Sequence, residues 1–273
     1  MTDVLFAPTG AAARRQRISG VVLRDLAAMR RSPVRIFEIF FWPTVNLLVW
    51  GFVTRYLQAS KVPFVVSVLL GAAVLWELLH RSSTEVGLGF LEDIWSRNLL
   101  NVFATPLSNG EYVTGLVLFS LAKVAVATVV TAGIAYLFYG FGIFSMGVAL
   151  VPFMTLLLVM GWALSLVAIA CVLRFGESAQ VLGWSLPFVL QPVAGVFYPV
   201  SVLPEPLQKV AFLVPASHVF EGMRTVLRGG GVPWGHLAVA GLLDLVYLAL
   251  AVRLFAVTLR NARMKGRLSR FGE

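Results

Sequence analysis

Gly89-Phe-Leu-Glu-Asp-Ile-Trp-Ser-Arg-Asn-Leu-Leu-Asn-Val-Phe-Ala-Thr-Pro-Leu-Ser108 is a polar interruption in a chain that otherwise reads as membrane. The chain has 273 residues, of which 59% are hydrophobic and 13% charged, and its mean hydropathy is +0.86. A soluble domain carries about 25% charged residues. Apolar stretches near the ~20 residues that cross a bilayer core recur on both sides of the interruption. The expected fold class is therefore all-α, a polytopic membrane protein with six transmembrane helices. They are expected at about 36–56, 63–80, 111–138, 145–173, 179–199 and 236–258.

These spans divide the chain into a polar N-terminal region, 1–35, a transmembrane domain, 36–258, and a basic tail, 259–273. In the first region Ile18, Val21, Val22, Leu26 and Met29 fall at helical spacing among arginines. That pattern suits an amphipathic helix in the membrane interface, or a cytoplasmic helix that only sets topology. No signal-peptide pattern opens the chain, so no removable leader is expected. With the N-terminus inside, sixteen Lys and Arg lie on the cytoplasmic side and five outside. That bias places both termini in the cytoplasm. The loop 81–110 is then cytoplasmic and the segment 200–235 external. The net charge of +9 reads as inward-facing charge rather than a nucleic-acid surface.

Several chemistries find no residues to carry them. The single Cys171 excludes an internal disulfide. His80, His218 and His236 show no metal-ligand spacing, so no metal is expected. No G-x-x-x-x-G-K-[ST] pattern occurs. A polytopic chain without its own energy-coupling site is a channel, a carrier, or a subunit driven by a partner. A membrane-embedded lipid-modifying enzyme needs clustered acid, base or metal groups, and no such set stands out. An ion-coupled carrier needs charges along a path and usually a repeat, and only Lys123 and Asp244 offer anything.

Within the interruption, Glu92 to Phe103 reads as one short amphipathic helix. Ile94, Trp95, Leu99, Val102 and Phe103 lie near one face, with Glu92, Asp93, Ser96 and Arg97 mostly on the other. Pro106 ends it, and Ser108 or Asn109 is a candidate N-cap for the next span. Its apolar face can enter the interface, fill a partner's groove, or pack on the chain's own inner surface.

The external segment carries Pro199, Pro204, Pro206, Pro215 and Pro233, and the run Gly229-Gly-Gly231. Helices are expected over 206–213 and 216–227, apolar enough to dip back into the membrane. Glu221 and Arg224, three apart, can pair on a helix face. Lys123 lies roughly 18 Å from the inner end of its span and Asp244 roughly 12 Å from the outer end of its own. In a core of about 30 Å those depths coincide, which suggests a Lys123–Asp244 ion pair within or between subunits. Glu77, His80 and Arg81 suggest a local network.

Trp95-Ser-Arg-Asn98-Leu99, Thr105-Pro-Leu-Ser108 and Glu111 resemble the membrane subunit of type-2 ABC exporters. So do Gly195-Val-Phe-Tyr198-Pro199, Leu203-Pro204, Leu207-Gln208 and Pro215-Ala-Ser-His218-Val-Phe-Glu221-Gly-Met-Arg224. The resemblance spans the chain in length, loop placement and termini. It implies that 92–103 is a coupling helix docking on an ATP-binding cassette subunit, present in two copies. It implies a second permease copy, most simply as a homodimer, in the inner membrane of a bacterial cell among membrane lipids. ATP and Mg are then bound by the partner, with no cofactor on this chain. Tyr198, Pro199, Pro204, Leu207, Pro215, His218, Glu221 and Arg224 would form an external gate of re-entrant helices. Spans two and five line the dimer interface in that family, which makes Trp184, Gln191 and Pro192 candidates for the translocation path. The N-terminal Val22-Leu-Arg-Asp-Leu-Ala-Ala-Met-Arg-Arg-Ser-Pro33 departs from the aromatic, lysine-rich pattern of polysaccharide exporters. It looks more like the drug, lipid or nodulation-signal branch, with an amphiphilic or apolar substrate.

Overall fold

The computed structural model describes residues 10–59, 65–96 and 98–264, without the side chains of 65, 99, 100, 103 and 177. The described residues form α-helices and short 3-10 turns. In chain order the helices are α1 (Ala11–Arg30), α2 (Pro33–Ala59), α3 (Val65–Trp95), α4 (Leu99–Ala104) and α5 (Asn109–Tyr139). A 3-10 turn, Ile143–Ala149, leads into α6 (Leu150–Phe175). Then follow α7 (Leu182–Leu190), α8 (Glu205–Phe212), α9 (Pro215–Leu227) and α10 (Trp234–Met264).

Local chemistry sets many of these boundaries. Pro33 opens α2, where a missing N–H is harmless. Ser108 caps α5 in a capping box: its hydroxyl accepts from the Glu111 amide, and the Glu111 carboxylate accepts from the Ser108 amide. Gly140 closes α5 at φ 67°, with its amide and that of Phe141 bonded back to Tyr136 and Ala135.

Among the described residues, Pro33–Ala59, Asn109–Tyr139, Ile143–Phe175 and Trp234–Met264 are long and apolar enough to cross a membrane. Two expected spans come out differently. The second does not end near residue 80: α3 continues to Trp95, through the first half of what reads as a polar loop. Its charges are neutralised inside the bundle, by one another and by α1, α2 and α5, so they need no water. The fifth, expected over 179–199, is the nine-residue α7. Pro192 has no N–H to extend the ladder, and Gly195 turns the chain at φ 59°. A Cβ at Gly195 would stand 3.0 Å from the Tyr198 carbonyl oxygen, so only glycine sits there without strain.

Residue pairing gives the helix directions. Gly71 lies against Met146, Gly161 against Ser82, and Gly87 against Ser165, so α3 and α6 run parallel. Their small residues allow close approach, the usual device where no hydrophobic effect drives helices together in lipid. Glu85 meets Lys123 and Asp93 meets Tyr112, so α5 is antiparallel to α3. Asn46 near Glu77 and Arg35 on Glu92 make α2 antiparallel to α3 as well. One end of the bundle thus collects α1, the end of α3, α4 and the start of α5. Arg263 of α10 reaches Asn109 there at 2.6 Å. The opposite end holds α8, α9 and the start of α10.

Candidate functional site

At the first end, three of the ion pairs among the described residues knit α1 and α2 to the chain around α4. Arg17 holds Glu111 with two nitrogens, at 2.7 and 3.1 Å. Arg24 bridges Asp25 and Asp93, and the Tyr112 hydroxyl donates to the same Asp93 oxygen at 2.6 Å. Arg35 pairs with Glu92 at 2.9 Å. Burial pushes the Asp25 carboxyl above its usual value, and Arg24 beside it only partly opposes this. Val21 seats against Gly115, where a Cβ would overlap it.

The expected single helix over 92–103 is two pieces. Glu92 to Trp95 finish α3, and the amide of Asn98 bonds back to the Asp93 carbonyl at 3.0 Å. α4 then starts at Leu99, with the Asn101 amide donating to the Asn98 side chain. Asn and Ser compete for backbone hydrogen bonds, which favours a break where they cluster. The expected amphipathic split is also revised. Ile94 and Val102 are buried, but Trp95 is 54% exposed and donates to Gln180 at 3.2 Å. Glu92 and Asp93 turn inward to arginines rather than outward to water. Arg97 lies outside the described residues, and so do the side chains of Leu99 and Phe103. Between α1 and the α4 loop runs a groove of about 330 Å³, floored by Val21, Val102 and Leu107 and rimmed by Arg17, Arg24 and Asn101.

In the middle of the bundle Lys123 pairs with Glu85, not Asp244. Arg81 forks between Glu77 at 2.8 Å and Glu85 at 3.1 Å, and donates to the Glu38 carbonyl at 3.0 Å. Both Asp244 oxygens are buried without a hydrogen-bond partner among the described residues. The equal depth expected for the two residues does not bring them together within one chain, because Lys123 on α5 faces α3 whereas α10 packs on α6 and α9. The signal was present in the sequence: Glu77, Arg81 and Glu85 repeat at i, i+4 and i+8, the spacing of a helix-face charge ladder. His80 is not part of that ladder's hydrogen bonds; its ring packs on Phe188, centroids 4.9 Å apart.

At the opposite end, the expected Glu221–Arg224 pair is present at 3.1 Å. Arg224 also donates to the Val196 carbonyl, and the Val200 amide donates to Glu221 at 2.6 Å. Burial alone would raise the Glu221 carboxyl, but these hydrogen bonds and the Arg224 charge hold it below its usual value. The α9 helix is therefore bolted to the turn after α7. Tyr198 donates to the Pro192 carbonyl at 2.7 Å. Pro199 and Pro204 lead the turn and α8, Pro215 opens α9, and Leu207 is exposed on α8. His218 is buried, and its ring meets His236 of α10.

Trp184 is exposed on α7, and beyond the end of that helix Gln191 is half-buried and Pro192 exposed. α3 is covered along most of its length, whereas α2, α5, α7 and α10 carry open apolar faces, so the expected pairing of spans two and five as the open surface is revised. Phe37, Trp42, Phe52 and Phe188 are among the large side chains on those faces.

The family model for ABC-2 type transporters matches residues 17–227. No curated protein matches the chain.

Proposed function

The chain belongs to the ABC-2 type transporter family, as a membrane-spanning permease subunit whose family implies an ATP-binding cassette partner, and from that premise we propose that it is the membrane half of an ATP-driven exporter. Two permease copies and two ATP-binding subunits make the working unit in the inner membrane of a bacterial cell. ATP and Mg are held by the partner. Both chain termini face the cytoplasm, together with the end of the bundle that carries α1 and α4. The exposed Trp95, Asn101 and Thr105 form the surface on which the partner docks.

The observation that carries this reading is the ion-pair cluster around Asp93. Whatever pushes on the α3–α4 junction pushes through Asp93 on Arg24 of α1 and Tyr112 of α5 at once. The Glu77–Arg81–Glu85–Lys123 ladder continues the link into the bundle. Closure of the ATP-binding subunits is thereby converted into a shift of α1, α2 and α5 around α3. The α8–α9 unit at the far end acts as an outer gate, held by Glu221 and Arg224. The open faces of α2 and α7 meet the second copy and line the path with Trp184, Gln191 and Pro192. Their aromatic, uncharged character suits an amphiphilic or apolar cargo, such as a lipid, glycolipid or drug-like molecule.

The test is uptake into inverted membrane vesicles holding the permease and its partner ATPase. Accumulation of a fluorescent lipid or lipophilic dye should need hydrolysable ATP and stop with Trp95→Ala/Asn101→Ala. Accumulation driven by a proton gradient without nucleotide would replace this reading with an ion-coupled carrier.

A further inference from the structure

His218 and His236 are eighteen positions apart in sequence, too far to read as a ligand motif, but α9 folds back on the start of α10 and brings their rings together. The two Nδ1 atoms stand 3.4 Å apart, with ring centroids 5.6 Å apart and planes at 45°. The other nitrogen of His218, Nε2, lies 2.8 Å from the Phe212 carbonyl oxygen. A carbonyl can only accept, so Nε2 carries a proton, and in the neutral ring Nδ1 then presents a bare lone pair. That arrangement, with the remote N–H tied to a backbone carbonyl, is how proteins orient a metal-binding imidazole.

The separation is informative. It is longer than an ordinary N–H donor distance, about 2.7–3.2 Å. Two nitrogens held at about 2.0–2.1 Å from a tetrahedral cation stand roughly 3.3–3.4 Å apart. We infer that His218 Nδ1 and His236 Nδ1 form a two-histidine site for a zinc-type divalent cation, clamping α9 to α10. Imidazole ligation favours Zn²⁺ and its neighbours over Ca²⁺ or Mg²⁺, which take oxygen. The nearest carboxylate on α9, Glu221, lies one turn beyond His218 and already accepts from Val200 and Arg224, so it supplies negative potential rather than a ligand. No group of three or more metal-ligating side chains occurs among the described residues. The remaining positions are filled by water, and the exposed side of His236 gives the cation access. Such a clamp is independent of the direction or cargo of transport.

The full chain, purified in detergent with a tag that lacks histidine and stripped with a chelator, is titrated with Zn²⁺ and with Ca²⁺. One saturable Zn²⁺ per chain is expected, with no Ca²⁺ uptake. His236→Gln changes an exposed side chain and should weaken Zn²⁺ uptake at least tenfold while leaving the metal-free unfolding midpoint unchanged. Equal uptake by H236Q, or no saturable uptake by the unaltered chain, overturns the site. A second readout needs no variant: X-ray absorption at the zinc edge should show two imidazole nitrogens with oxygens. A shell without imidazole, or with sulfur from Cys171, overturns it as well.

Discussion

Lys123 of α5 is ion-paired to Glu85 of α3, and Arg81 holds the other oxygen of the same carboxylate. All three side chains are largely withdrawn from the surface. Removing one member of a buried pair strands the other, at about 3–5 kcal/mol. Glu85→Gln and Lys123→Met should each lower the unfolding midpoint in detergent sharply. The double variant should recover a large part of the loss, because no lone charge remains at that junction. A double variant whose loss equals the sum of the two singles would show that the residues do not interact.

Asp244 gives the opposite expectation. Its carboxylate has no hydrogen-bond partner among the described residues, so its charged form is opposed by burial and by nothing else in view. Asp244→Asn should leave the unfolding midpoint unchanged or raise it. The exchanged pair Lys123→Asp/Asp244→Lys should not recover what Lys123→Asp loses. Rescue by that exchange would place the two residues in contact after all, most simply across two copies.

The contrast shows what the sequence could carry. Ser108, one of two cap candidates with Asn109, the break at Pro215 between two external helices, and the Glu221–Arg224 pair were all legible, because each depends on residues within a few positions of one another. Rise per residue fixes how far along its helix a residue lies, but not which neighbour it faces. Nothing local says that Lys123 faces α3 while Asp244 lies on a helix packed against α6 and α9. The polarity of 81–95 misled for a related reason. Composition reads charge as exposure, whereas Arg81, Glu85 and Asp93 find their counter-charges within α3 and on α1 and α5. The meeting of His218 and His236 is likewise a tertiary fact, created by the return of the chain through Gly229-Gly-Gly231.

Ser108 should be a measurable but modest support. Ser108→Ala removes the acceptor for the Glu111 amide, and caps of this kind contribute about 1 kcal/mol. Arg17→Ala should lose more, since it releases both oxygens of Glu111 from a two-pronged contact. Chemical or thermal unfolding followed by helical circular dichroism gives the ranking. A larger effect for Ser108→Ala than for Arg17→Ala would contradict it.

The α9 anchor predicts acid sensitivity with a definite sign. Glu221 titrates below its ordinary value of 4.5 in the folded chain. Its contribution is therefore fully present above that ordinary value and is lost as pH falls through the lower folded value. As pH falls from neutral to well below 4.5, the unfolding midpoint of the unaltered chain should drop more than that of Glu221→Gln. Parallel pH profiles for the two proteins would remove Glu221 from the account.

Everything proposed for this chain turns on an ATP-binding subunit docking on the α3–α4 end. The direct measurement is mild-detergent co-purification of the tagged chain from its own cells, with the partner identified by peptides carrying a G-x-x-x-x-G-K-[ST] sequence. Such a subunit should be recovered with the unaltered chain and lost with Trp95→Ala/Asn101→Ala, while the permease itself stays folded. Recovery undiminished by the double substitution would contradict docking at that end, and recovery of no such subunit would contradict the partner-driven mechanism itself.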